Sequence, residues 1–393
     1  MRLSILSLFF LLVLYGCNRS ASNHEYPRPV DTNTVPIELQ KKQTYDFPSA
    51  GVSFDNEFDG ARLNQLEQVT DSFYVVGITP ENEPINPSPW YAFRVRSERD
   101  QRLRVRLTYP SGANHRYFPK LSTDRRAWVP LDSAAIIRNL GSSEITLILN
   151  LRAGVPLFVA GQEVISSGEV QAWVSGLATD PRVNAQVIGQ SQLGRDLPRF
   201  TISKGPLTDR PTIVLLGRLH PPEITGYLAF QSFVVGLLED PRLDELLGQH
   251  QIVVYPILNP DGVDLGHWRH TAGGIDPNRD WARYRQAEVR QIADDIVRTT
   301  RTVGSKVVLG IDFHSTYRDV FYTHLDDVQP PTALPGFKDA WLAAIERGIG
   351  GDFRINEEAE AIGRPTSMSW FRKQFGAEGI TYEIGDNTDR AFV

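Results

Sequence analysis

The sequence predicts an α/β protein in two parts, a mixed-sheet domain preceded by an antiparallel β-sandwich. Three observations carry that reading. Residues 50–166 hold short β-rich runs with alternating apolar positions, residues 167–393 alternate fully apolar runs with amphipathic ones, and the texture switches close to Gly168. With 41% hydrophobic and 22% charged residues, the 393-residue chain has globular composition and enough apolar side chains for a sizeable core. Its net charge of −6 and the lack of any Lys/Arg-rich run argue against nucleic acid as a partner.

From the N-terminus, Arg2 is followed by an apolar run over residues 3–15, too short to span a bilayer as a helix, which reads as the hydrophobic region of a signal peptide at 1–16. The residues around the break, Leu14-Tyr15-Gly16-Cys17, resemble a bacterial lipobox, in which cleavage precedes the cysteine and the new N-terminus is acylated. That resemblance implies lipidation at Cys17, membrane attachment through the lipid, and a place at the bacterial cell envelope facing the periplasm or the outside. The alternative is an ordinary cleaved signal with an unmodified cysteine. Residues 17–49 are polar, carry Pro27, Pro29, Pro36 and Pro48, and lack a sustained period, so they are expected to form a tether. A single cysteine excludes an intramolecular disulfide and a Cys-rich zinc or iron–sulfur site, so any metal must be held by His and carboxylates.

The sandwich, 50–166, is expected from β-rich runs at 73–78, 90–95, 103–107, 128–129 and 145–149, separated by Pro, Gly, Asn and Asp clusters. No titratable cluster with metal or nucleophile spacing stands out in it. In the second domain, 167–393, the continuous apolar runs 212–216, 252–258, 307–311 and 380–383 predict strands covered on both faces. Amphipathic stretches at 223–239, 280–302 and 337–349 predict helices between them.

Chemistry collects at the strand ends. After the run 212–216 comes His220-Pro221-Pro222-Glu223, where a His and a carboxylate three apart at a strand-to-helix turn can aim at one point and suit Zn²⁺ at roughly 2.0–2.2 Å. Taken alone, the motif is equally an ordinary surface turn. His314, in Ile311-Asp312-Phe313-His314-Ser315 at the end of another buried run, supplies a third candidate ligand. Three protein ligands with a fourth position open to water is the arrangement of a catalytic zinc. His24, His115, His250, His267, His270 and His324 have no comparable setting and are read as solvated or structural.

Between the ligands lie Asn259-Pro260-Asp261-Gly262-Val263, then Trp268-Arg269, then Asp276-Pro277-Asn278-Arg279. With His220, Glu223, His314 and Glu383, this ordered set resembles the zinc carboxypeptidases of the carboxypeptidase A type. The compact stretch from Asn259 to Arg279 is similar to the cytosolic carboxypeptidase branch, whose members carry a β-sandwich before the catalytic domain. Phe54-Asp55, Phe58, the run Trp90-Tyr91-Ala92-Phe93-Arg94-Val95, Tyr117 and Trp128 fit that sandwich, so the resemblance covers roughly residues 52–386.

The resemblance implies a zinc-dependent metallocarboxypeptidase that hydrolyses the C-terminal peptide bond of peptides with a free terminal carboxylate, using one Zn²⁺ per chain. His220, Glu223 and His314 would be the zinc ligands, and Asp276 the carboxylate that orients the first histidine. Arg269 would polarise the scissile carbonyl, Asn278 and Arg279 would grip the terminal carboxylate, and Glu383 would be the general base that activates water. A guanidinium fork matches a carboxylate bidentately, which suits Arg279 to a free C-terminus. Outside the resemblance, Arg279 also reads as a surface ion pair beside Asp280, and Glu383 as a strand-end carboxylate without a role.

Three departures accompany the resemblance. The stretch 358–371 contains no tyrosine to close over substrate, as one usually does in the family. The chain ends ten residues after Glu383, where a terminal helix is common, so that side of the sheet is expected to be exposed or covered otherwise. Met368 falls at the residue-reading position of the side-chain pocket, but Arg364, Arg372 and Lys373 lie near it, so apolar and acidic preferences both stay open. Two other functions share part of the pattern: an aspartoacylase-like zinc amidohydrolase, and a non-catalytic peptide- or glycan-binding lipoprotein.

Overall fold

The computed structural model describes residues 20–138 and 143–393; Cys17 and the signal at 1–16 lie outside the described residues. Two sheets form the N-terminal sandwich. One has the order Thr44–Phe47, Val52–Asp55, Ala92–Ser97, Leu157–Ala160, Lys120–Ser122 and Val129–Pro130, with every neighbour antiparallel. The other runs Gln65–Thr70, Phe73–Gly77, Gln101–Thr108, Ile145–Leu151 and Ile136–Arg138. Here the structure departs from the expected all-antiparallel pattern, because Phe73–Gly77 pairs parallel to Gln101–Thr108. A hairpin cannot join parallel neighbours, so residues 78–91 leave the sheet and return through Ala92–Ser97 of the other one. That excursion places Glu81 against the second domain and Asn86 beside the cleft described below.

Inward-facing Phe54, Tyr74, Phe93, Val105 and Leu147 are fully buried between the two sheets. Ile224 and Trp268, which belong to the second domain, are packed into the same core. The two parts therefore share one apolar cluster, and burying an indole of that size contributes on the order of 2–3 kcal/mol.

The second domain is built on an eight-stranded mixed sheet with the order Val183–Gln190, Asp196–Ile202, Gln251–Tyr255, Thr212–Gly217, Val307–Thr316, Glu378–Gly385, Val320–His324 and Glu357–Glu360. Its centre, from Gln251–Tyr255 to Glu378–Gly385, is parallel. These strands are apolar on both faces because helices cover both. Leu215, Ile252, Val254 and Ile311 pack with helices Ser167–Leu177 and Ile224–Glu239, while Val214, Leu216, Val253 and Tyr255 pack with Ala287–Thr302 and Ser367–Phe375.

The predicted helix 223–239 forms as Ile224–Glu239, and 337–349 forms as Phe337–Ile349. The stretch 280–302 is helical only from Ala287, since residues before it make a short 3-10 turn, Pro277–Arg279, and a buried loop. The stretch 17–49, expected to be a free tether, is tied down where it is described: residues 20–35 lie along the second domain, and residues 38–43 bond mainly to the sandwich, as Glu38 does to Glu81 and Gln43 to Asn56. Ser20 and Ala21 donate to Asp294 Oδ1 at 2.7 and 2.8 Å, Thr32 donates to Asp280, and Val35 N–H reaches Gly273 O at 2.9 Å. Ala21 and Tyr26 are buried there, an apolar contact that a proline-rich composition does not announce. At the other terminus, the strand carrying Glu383 is not an edge, because Val320–His324 pairs beyond it. Arg116 and Arg390 tie the final residues to the sandwich through Asp386 and Glu163.

Candidate active site

Strand pairing explains how the candidate residues meet. In the parallel register His314 stands opposite Glu383 and Asp312 opposite Thr381, so all four share one face of the sheet near its C-terminal ends. Thr212–Gly217 ends beside them, and the chain turns sharply after it. Arg218 takes a left-handed conformation (φ 55°), and its guanidinium donates to Pro221 O and Ile165 O. That turn delivers His220 and then Glu223 to the start of helix Ile224–Glu239. The helix can approach because Gly226 has no side chain: a Cβ there would sit 2.1 Å from His314 O.

The three predicted ligands form one buried cluster, each offering an atom within 4.8 Å of the others. Glu223 lies between the rings, with Oε1 2.9 Å from His220 Nδ1 and Oε2 2.7 Å from His314 Nδ1. Each ring is held from behind through Nε2, His220 by Asp276 Oδ1 at 2.9 Å and His314 by Asp312 Oδ2 at 2.8 Å. A carboxylate on the far nitrogen fixes ring orientation and tautomer, leaving Nδ1 for a metal. Two imidazole nitrogens and one carboxylate, with the far side open to a cleft, are a donor set that fits Zn²⁺. Burial opposes charge on Glu223, yet His220 and His314 outweigh it and hold the carboxyl well below its usual range. For His314 burial likewise favours the neutral ring, but Asp312 and Glu223 prevail and raise it well above the ordinary value.

Asp276 joins several roles. Its Oδ1 also accepts from Asn278 N–H at 2.8 Å, and its Oδ2 accepts from Arg269 Nε at 2.7 Å. Arg269 Nη1 lies 4.0 Å from Glu223 Oε1, beside the ligand cluster. Arg279 donates through Nη1 to Asn278 O at 2.7 Å and keeps part of its side chain open to the cleft. Asn278 lines the cleft too, but its side-chain oxygen accepts from Ser367 N–H at 2.8 Å. Glu383 Oε2 is buried without a hydrogen-bond partner among the described residues. Burial first, and the nearby Glu223 carboxylate second, raise Glu383 to about 7.

His220, Glu223, Arg269, Asn278, Arg279, His314 and Glu383 open into a cleft of about 340 Å³. Its remaining wall comes from Tyr322, Glu360, Arg364, Thr366 and Met368, with Asn86 and Arg116 reaching in from the sandwich. Met368 and Arg364 are therefore where the pocket is expected. Arg372 and Lys373 are not: Arg372 pairs with Glu378 at 3.5 Å and Lys373 sits over the ring of Tyr26. No tyrosine comes from 358–371, and the aromatic hydroxyl in the cleft is Tyr322, on the strand opposite Thr381. The six histidines set aside in the sequence stay outside the ligand cluster.

Sequence reasoning missed Asp312, Arg116, Asn86, Tyr322 and Glu81. Asp312 had a signal, since residues two apart on a strand share a face. Arg116 had none: it crosses from the sandwich to bind Asp386 at 2.7 Å and Ser315 O at 3.2 Å, between the rings of Tyr117 and Tyr317.

Residues 170–347 match the zinc carboxypeptidase family, peptidase M14. An uncharacterised protein of Zymomonas mobilis is 25% identical over 292 residues, covering 72% of this chain and 69% of that protein. Cytosolic carboxypeptidase 6 of Caenorhabditis elegans is 20% identical over 325 residues, 77% of this chain and 71% of its own length. A metallo-carboxypeptidase structure from Burkholderia cenocepacia, 19% identical, has a TM-score of 0.70 over 87% of this chain and 92% of that one, which shows a shared fold. Ligand set and family match agree, and residues 170–347 carry a zinc carboxypeptidase domain of the peptidase M14 family, a zinc-dependent peptide hydrolase domain.

Proposed function

We propose that the protein is a metallocarboxypeptidase that removes the C-terminal residue from peptides with a free carboxylate. One observation supports this most: Glu383, with a buried oxygen unpartnered among the described residues, and Arg279, with a partly open guanidinium, line one cleft with His220, Glu223 and His314. Zn²⁺ held by those three ligands would supply Lewis acidity, polarising a carbonyl and making water acidic enough to lose a proton near neutral pH. Arg279 binds the substrate's terminal carboxylate and so places the last peptide bond beside the ligand cluster. Glu383 accepts the proton of the attacking water and returns it to the leaving amine. Arg269, aligned by Asp276, donates toward the carbonyl oxygen as negative charge develops on it.

The test is a panel of N-capped dipeptides ending in Phe, Glu, Lys and D-Ala, each with a free and an amidated C-terminus. Zinc-loaded protein is expected to cut at least one free peptide and to lose at least about tenfold in kcat/KM when that terminus is amidated. Equal cleavage of amidated peptides points instead to the amidohydrolase reading, and a zinc-loaded protein that cuts none points to a binding role.

The Cys17 motif supports a lipid-anchored protein at the bacterial cell envelope. One acyl chain gives only marginal attachment, so stable anchoring at Cys17 requires multiple acylation. Cys17→Ser is expected to release the protein from the membrane fraction and remove the lipid mass; retention of both overturns that part of the proposal.

A further inference from the structure

Glu81 belongs to the sandwich, on the excursion after strand Phe73–Gly77, and it is fully buried. Its carboxylate accepts three consecutive backbone N–H groups of the second domain: Trp268 at 2.7 Å on Oε2, and Arg269 and His270 at 2.9 and 2.6 Å on Oε1. A carboxylate that receives three buried amide donors stays ionised. Burial alone would raise its pKa, but His267, Arg62 and His270, together with the His270 backbone N–H, leave it below the ordinary value. Glu81 is itself anchored, because Glu38 N–H donates to its carbonyl at 2.7 Å and Arg62 Nε donates to Thr79 O at 2.8 Å nearby.

The residues on either side of Arg269 are also held from the sandwich. Trp268 lies in the sandwich core and donates its indole N–H to Trp90 O at 3.1 Å. The ring of His270 meets Asn82 Oδ1 at 2.7 Å, and Asn82 donates to Gly274 O at 2.9 Å. The backbone of Arg269 is thus fixed by one domain while its side chain works in the other, with Nε on Asp276 and Nη1 toward Glu223.

We propose that Glu81 is a positioning residue for peptide hydrolysis: the sandwich sets the place of the Arg269 guanidinium through this three-donor clamp. The inference rests on the carboxypeptidase reading for its catalytic consequence, but the clamp itself does not. Glu81→Gln removes the charge and turns one acceptor into a donor facing amide N–H groups. Glu81→Asp keeps the charge but pulls the carboxylate back by one methylene and serves as the milder variant.

The experiment uses the full zinc-loaded chain and whichever capped dipeptide of the panel wild type cuts fastest. Each Glu81 variant is expected to retain zinc, to change KM by less than about threefold and to lower kcat by about tenfold or more, since Arg269 acts as charge develops. In an Arg269→Ala background the same Glu81 change is expected to cost less than about threefold, because the group it positions is gone. Equal fractional losses in both backgrounds mean a general structural effect and overturn the proposal, as does unchanged kcat. Amide hydrogen exchange supplies a readout free of turnover: protection at residues 268–270 is expected to fall in the variants while the strand Val307–Thr316 keeps its own. Unchanged protection at 268–270 overturns the clamp. A wild type that cuts no peptide but shows Glu81-dependent protection sinks the carboxypeptidase reading and leaves the clamp standing.

Discussion

The two walls of the cleft are built differently. On one wall His314 stands near the end of a central parallel strand and His220 and Glu223 on the turn that follows another; all three are almost completely buried, and the two rings are backed by Asp276 and Asp312. The opposite wall comes from edge strand Glu357–Glu360 and the segment leading to helix Ser367–Phe375, where Glu360 and Arg364 are exposed. Charges there pair at the surface, as Arg318 does with Glu358 and Lys338 with Glu357. A buried centre tolerates little change, because an unpaired buried charge is costly, whereas exposed ion pairs contribute about 0–1 kcal/mol each. Under the proposed function, reaction chemistry is thus lodged where substitution is expensive and residue preference where it is cheap.

If that contrast holds, the largest effects belong to the central wall. Glu383→Gln is expected to keep zinc and peptide binding while lowering kcat by roughly 10²-fold or more, the usual scale for general acid–base catalysis. Single-turnover kinetics with metal analysis checks it, and full turnover in this variant removes Glu383 from the mechanism. His220→Ala and His314→Ala should each lose zinc as well as activity, and undiminished zinc in both would sink the metal site. Arg279→Ala comes next, raising KM by about 10- to 100-fold with a smaller change in kcat, because a charge-assisted pair to the substrate carboxylate is present before and during reaction. A KM unchanged in that variant would move carboxylate recognition to another cation.

The same contrast has a stability counterpart at Glu288, buried at the start of helix Ala287–Thr302. Its Oε1 accepts from Gln192 N–H at 2.9 Å, but Oε2 has no partner among the described residues, and burial first, with Asp261 beside it, raises the carboxyl to about 7. A folded pKa above the unfolded 4.5 means full stability below about pH 4.5, lost as pH rises through 7. Glu288→Gln removes that loss and offers an N–H toward Asp261. The variant should gain on the order of 2–3 kcal/mol over wild type at pH 8 and little at pH 4.5. Denaturant unfolding at both pH values checks this; a pH-independent difference would show that Glu288 is not the titrating group.

Much of the central wall was legible in the sequence because its signals are local. His220 and Glu223 sit three apart in one turn, the runs around 212–216 and 307–311 are apolar without alternation, and the ordered spacing from Asn259 to Glu383 carries the rest. What stayed hidden depends on contacts between distant segments. Glu81 binds amides 187 to 189 positions away, and backbone N–H groups leave no trace in residue identity. The packing of residues 20–43 was hidden for a related reason: Ala21 and Tyr26 are isolated apolar residues in a polar stretch, and only the groove they enter makes them core. Helix Ala287–Thr302 starts later than its periodicity suggests because Asp276 and Asp280 are occupied with capping the turn Pro277–Arg279 and the loop after it.

The smallest effects belong to the exposed wall, and they have opposite signs. Arg364 and Glu360 line the same cleft, and both lie close enough to Arg279 to act on its charge, with Arg364 repelling and Glu360 attracting. Arg364→Ala is expected to lower kcat/KM for a dipeptide ending in Glu and to raise it for one ending in Lys, and Glu360→Ala to do the reverse. Because both side chains are solvated, each change should be about two- to fivefold, corresponding to surface electrostatics of under about 1 kcal/mol and weakening at high salt. Peptides ending in Phe should respond to neither, since they meet Met368 at the buried end of the wall. A shift above about 50-fold in either variant would mean that the charge is desolvated against the substrate, making the outer wall as unforgiving as the inner one. A uniform loss across Phe, Glu and Lys peptides would instead place these residues in carboxylate binding with Arg279.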